Sequence, residues 1–210
     1  MSTYKPLTKT EMLAAFPESP ASIAGEPTMK ELIRVLRHLI DASQSHQSEA
    51  NNGLNLLHIC LPEDLYRAFI TDPAAQAYPQ RAQDPGQGPT YTPNQDTAVW
   101  ANEKLAWERQ KQIYAEEKNM DAALLDRFLQ SISKDYKDNF NLIKNRNPNM
   151  SFMDCYQWFL TTYASADEAD REENKATMNM EWHIEDDFPK LARTIDDAIL
   201  YAQFSDAPIT

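Results

Sequence analysis

Within LNLLHICLPEDLYRAF, residues 54–69, His58 and Cys60 stand two apart, with Glu63 and Asp64 just downstream. A thiol held beside an imidazole makes a nucleophile, because the base takes the proton that weakens the sulfur as an attacking group. Such partners meet in space rather than in sequence. Cys60 or Cys155 with His58 or His183 is therefore the catalytic arrangement this composition offers, and His38 and His46 are the remaining bases. No motif supports it. The chain has no GxSxG elbow, no HExxH, no GxxxxGK[ST] and no GxGxxG. Two cysteines without CxxC pairing supply neither a disulfide framework nor a zinc site, and both read first as small buried hydrophobes. The expectation is a protein without catalytic, cofactor-binding or metal-binding residues.

Two other features could carry chemistry. The acidic run DEADREE, residues 167–173, resembles a calcium loop only in charge, since an EF-hand needs alternating oxygen ligands around a central Gly. It reads as a solvated helix face, and EDD at 185–187 reads as acidic capping of a helix start. Trp100, Trp107 and Tyr114 could stack on nucleic-acid bases, yet stacking platforms lie in basic grooves. Residues 164–210 hold 12 acidic residues against 4 basic ones, so core packing or a protein interface is the better account.

These residues must be positioned by helices. Residues 1–27, with Pro6, Pro17, Pro20 and Pro27, read as a flexible N-terminal arm in which KTEMLAAF forms one helical turn. A helical block spans 28–72. Thr28 and Glu31 form a capping box, and Met29, Leu32, Ile33, Leu36, Leu39 and Ile40 recur at helical spacing. SQSHQSEANNG is a loop, 54–60 a short extended segment, and Pro62 the first position of the next helix. Five prolines and two glycines make 73–95 a linker or surface loop.

From 96 to 210 the pattern is a helical lobe. Val99, Ala106 and Ile113 form one row seven apart, and Trp100, Trp107 and Tyr114 the neighbouring row. A second stripe runs from Met120 through Phe128 to Tyr136 and is broken by NRNPN. Ser151 and Asp154 cap a third helix, Ser165 and Glu168 begin a fourth, and Asp187 and Pro189 open a fifth. Amphipathic helices with short connections must bury their stripes against one another, so the predicted fold class is all-α. Four glycines and no hairpin signal argue against a sheet.

A chain of 210 residues with 42% hydrophobic content fills a real core. Its net charge of -12 repels phosphate backbones, which predicts no direct nucleic-acid binding. No apolar run approaches the roughly 20 residues that span a bilayer, and MSTYKPLTKTEMLAAF lacks the apolar region of a secretory signal. A cytoplasmic or nuclear protein is expected.

With these elements in order, the chain resembles the Gag polyprotein of copia-type long-terminal-repeat retrotransposons, in particular the copia-like elements of diatoms and other protists. NGLNLLHICLPEDLYRAF is similar to that group's N-terminal block, and a Pro-rich spacer follows it in both. DAALLDRFLQSI resembles the helix that carries Ile and Ser near its end, matched by Ile132 with Ser131 or Ser133. MSFMDCYQWFLTTYA matches the next helix through Trp158, Leu160 and Tyr163, and Met180 to Ala202, led by Trp182, fits the last block.

The resemblance implies a capsid-like multi-helix bundle that self-associates into virus-like particles around element RNA. It also makes His58 and Cys60 structural, with one of the pair packed inside. Copia-type Gag continues into a second lobe and a CCHC zinc knuckle that binds RNA. Neither is present, so a Gag truncated after SDAPIT, with RNA held by a downstream region, is the expectation. The partner implied is the chain itself. Trp100, Trp107, Tyr156 and Trp158 are the expected interface residues. The alternative is a domesticated Gag-like helical module that binds another protein.

Overall fold

The computed structural model describes residues 5–16, 22–48, 52–70, 77–164, 168–181, 183 and 187–205. The fold is all-α, with eight helices and one two-stranded ribbon among the described residues. In order they are α1 (Lys9–Ala15), α2 (Met29–Ser45), β1 (Gln47–Ser48), β2 (Leu54–Asn55), a 3-10 turn (Leu57–Ile59), α3 (Glu63–Phe69), α4 (Thr97–Gln130), α5 (Lys134–Arg146), α6 (Phe152–Tyr163), α7 (Glu168–Met178) and α8 (Phe188–Phe204). Among the described residues no helix is long and apolar enough to cross a membrane.

Two compact units divide the chain, each drawn from separated segments. One comprises Met1–Pro17 with Ile40–Asp126, the other Glu18–Leu39 with Arg127–Thr210.

Local chemistry explains the helix starts. Thr28 N–H donates to Glu31 Oε2 at 3.0 Å while Glu31 N–H donates to Thr28 Oγ1 at 3.3 Å, the reciprocal box expected at α2. Ser151 and Asp154 close the same box on α6. A third box, Thr8 with Glu11, starts α1 inside the arm and places Met12 in the core of the first unit. Pro62 sits one position earlier than expected, as the N-cap of α3. Asp187 holds the same position at α8, whereas Ser165, Trp182, Glu185 and Asp186 lie outside the described residues.

The segment at 54–60 is extended only over Leu54–Asn55, which pairs antiparallel with Gln47–Ser48. Asn52 and Gly53 both take positive φ to reverse the chain, and Gly53 N–H donates to Ser48 O at 2.8 Å. Beyond it the backbone tightens. Asn55 Oδ1 accepts from Leu57 N–H, and Leu57 to Ile59 form a 3-10 turn. A short apolar run is compatible with any conformation buried on all sides, so periodicity alone does not separate these cases.

The two stripes after residue 96 belong to one helix. Nothing in EEKNM breaks a helix, so α4 runs through it and ends at Ser131–Ser133, leaving Tyr136 on α5. There Ser131 Oγ donates to Phe128 O at 2.6 Å, and Ile23 N–H donates to Ser131 O at 2.7 Å. Such bonds satisfy carbonyls that a helix end leaves open.

The second unit packs on rings. Phe128 meets Phe152, Tyr156 and Phe159 edge to face at centroid distances of 6.0, 5.5 and 5.1 Å. Lys30 on α2 bridges Asp170 and Glu173 of α7, and Arg37 pairs with Asp196 of α8 at 2.7 Å. Part of the DEADREE run is thus bound to α2, on a helix with no buried residue.

Candidate functional site

His58 and Cys60 are both buried, on the 3-10 turn and directly after it. Cys60 donates its thiol to Leu57 O at 3.3 Å, and burial pushes that thiol up to about 12. Near neutrality it stays protonated and is a poor nucleophile. Cys155 is buried on α6, while His183 is exposed.

The ring of His58 engages α4: Nε2 lies 3.1 Å from Glu117 Oε1. Glu117 uses its second oxygen to accept from Ala82 N–H at 2.7 Å. Glu116, its neighbour, is fully buried and accepts from the Ser48 hydroxyl. Burial, reinforced by the charge of Glu117, pushes the Glu116 carboxyl up to about 7. Glu116 Oε1 and His58 Nδ1 have no hydrogen-bond partner among the described residues. This buried polar cluster joins β1, the 3-10 turn and residue 82 to α4. Sequence reasoning singled out neither glutamate. The available signal was spacing, because Glu116 and Glu117 stand four and three residues before buried Met120 and so continue its stripe.

Residues 78–92, within the segment read as a linker, carry no regular secondary structure and lie along α4 as a strap. Tyr78 donates to the carbonyls of His58 and Leu61 at 3.2 and 3.1 Å. Arg81 reaches Asp121 at 2.8 Å and Ile59 O at 2.7 Å. Farther on, Gly86 O accepts from Trp107 Nε1 at 3.3 Å, Pro89 O accepts from Trp100 Nε1 at 3.4 Å, and Tyr91 packs edge to face on Trp100. Later strap positions meet earlier helix positions, so strap and helix run antiparallel. Gly88 suits this approach: a Cβ there would lie 3.2 Å from three ring atoms of Trp107, tight enough that the indole or the strap would have to shift. A cleft of about 350 Å³ opens between Ala82–Pro85 of the strap and Gln110 and Ile113 of α4.

The four expected interface residues fall in different places. Trp100 and Trp107 are half-buried against the strap, with Val99 (49% exposed) and Leu105 (62% exposed) on the same stretch of helix. Trp158 is half-buried and contacts Phe140, Phe159 and Tyr163. Tyr156 is fully buried in the ring cluster, in contact with Phe204 as well, so its role is packing. Compared with known proteins, the chain matches no family profile, no curated protein and no solved structure.

Proposed function

We propose that this chain is a structural protein of the Gag kind found in copia-type retrotransposons, a helical capsid lobe that associates with copies of itself into cytoplasmic virus-like particles. The observation that carries the reading is the order of four hydrophobic blocks along the chain. NGLNLLHICLPEDLYRAF ends in α3, DAALLDRFLQSI closes α4, MSFMDCYQWFLTTYA forms α6, and Met180–Ala202 enters α8. An all-α fold agrees with that order. The protonated, buried Cys60 thiol favours a non-enzymatic role. A net charge of -12 supports the reading that these residues do not hold RNA directly.

Light scattering coupled to size exclusion, from micromolar to near-millimolar protein and from low to high salt, tests this. Like charge opposes association, and screening over about 10 Å at 0.1 M salt relieves it. Oligomers that grow with salt are the expected result. A strict monomer throughout would instead favour the second reading, a Gag-like module that binds another protein through the Trp100 and Trp107 surface, which remains half-exposed.

A further inference from the structure

The outer half of α4 repeats one pattern three times, an aromatic residue with a lysine four positions on. Lys104, Lys111 and Lys118 place their ammonium groups over Trp100, Trp107 and Tyr114, at 5.3, 4.9 and 5.7 Å from the ring centroids. Steps of seven residues set the three pairs on one stripe. The strap covers this ladder in a particular way: its backbone carbonyls accept from the two indoles, and Gly88 lets it lie flat on Trp107. Aromatic surfaces that donate to the carbonyls of an extended, Pro-rich chain are how such peptides are recognised in trans. Charge does not oppose this, because residues 83–92 carry one acidic residue, Asp84, and no Lys or Arg to repel the ladder's three lysines.

The strap is held unevenly. Residues 78–82 are fastened by Tyr78, Arg81 and the Ala82 N–H to buried carbonyls and carboxylates. Residues 83–92 meet α4 through two indole bonds and ring contacts near the surface. Releasing the second part breaks fewer and less buried bonds than releasing the first.

We infer that the α4 ladder is a reading surface for extended Pro- and Gly-rich chain, and that its ligand in trans is residues 83–92 of a second copy, exchanged for the chain's own. The inference rests on the self-association proposed above. The chain's own strap competes at an effective concentration of about millimolar, so exchange belongs to crowded conditions such as a particle. Looped out between Ala82 and Thr97, the segment reaches about 20 Å, beyond the 8–10 Å separation of packed helix axes.

Complementary lesions in the full chain test it. Gly88→Val unseats the strap and keeps the ladder, whereas Trp107→Ala spoils the ladder and keeps the strap. A synthetic peptide of residues 82–94 should bind Gly88→Val at least about tenfold more tightly than wild type, whose strap competes, and should not bind Trp107→Ala. Mixed at near-millimolar concentration, the two variants should form a 1:1 species that neither forms alone. Circular dichroism verifies folding, and Gly88→Ala replaces the valine variant if that one does not fold. A folded strap variant that ignores the peptide overturns the inference even where wild type still oligomerises with salt, so this failure is separate from failure of the capsid reading. Peptide binding without the mixed species overturns the second copy as ligand.

Discussion

Glu116 links a single side chain to the behaviour of the protein with pH. Its carboxyl has an ordinary value of 4.5 and is held up to about 7 by burial and by Glu117. The folded state therefore binds a proton that the unfolded chain has released between those values. This stabilisation is complete below about 4.5, falls as pH rises, and is gone beyond about 7. At about 1.4 kcal/mol per unit, its full size is on the order of 3 kcal/mol. Urea unfolding of wild type and Glu116→Gln from pH 4 to 8 should show the wild type losing stability relative to the variant across that interval. Parallel curves would mean that Glu116 titrates normally. The cysteines make a second prediction at this scale. Cys60 and Cys155 are buried, and Cys60 is a thiol at neutral pH, so a thiol reagent at pH 7 should modify neither until the protein unfolds.

At the scale of elements, helix starts and ring packing differ in weight. Ser151 satisfies the first turn of α6 through its box with Asp154, so Ser151→Ala should cost about 1 kcal/mol. Phe128 ends α4 among three rings with no solvent exposure. Truncating it to Ala leaves a cavity as well as losing transfer energy, and should cost about 3–5 kcal/mol by denaturant unfolding. If both variants lost the same amount, the ring cluster would be looser than its edge-to-face geometry implies. The strap shows the opposite balance, since it carries no helix or strand and is retained by side chains of α4 and, through its own Tyr78 and Arg81, by backbone carbonyls of the 3-10 turn.

For the whole molecule, the dominant quantity is charge. Thirty-two acidic residues against twenty basic ones give a self-repulsion that salt screens. Thermal unfolding at dilute protein concentration should shift upward between 10 mM and 0.5 M salt. About 1 kcal/mol of relieved repulsion moves the midpoint of a chain this size by about 2–4 °C. Dilution matters because self-association would raise the midpoint by mass action as well.

Several features were legible from residues alone because their causes are local. The α2 and α6 boxes lie within four residues, and the stripes of α6 and α8 need only the 3.6-residue period. An all-α class followed from that period and from the scarcity of glycine. Part of the candidate site was legible too: Trp100, Trp107 and Tyr114 declare their row by spacing, and each has its lysine four residues on. What only the tertiary structure decided depends on partners distant in sequence. Burial of Glu116 and Glu117 follows from Ser48 and His58 meeting α4. The course of residues 78–92 follows from carbonyls finding indoles about 10 to 20 positions away. Pro and Gly rule out a regular element there, but they do not choose the surface on which an extended chain settles. That choice is made by whichever side chains offer donors and flat rings, and in this protein they belong to α4.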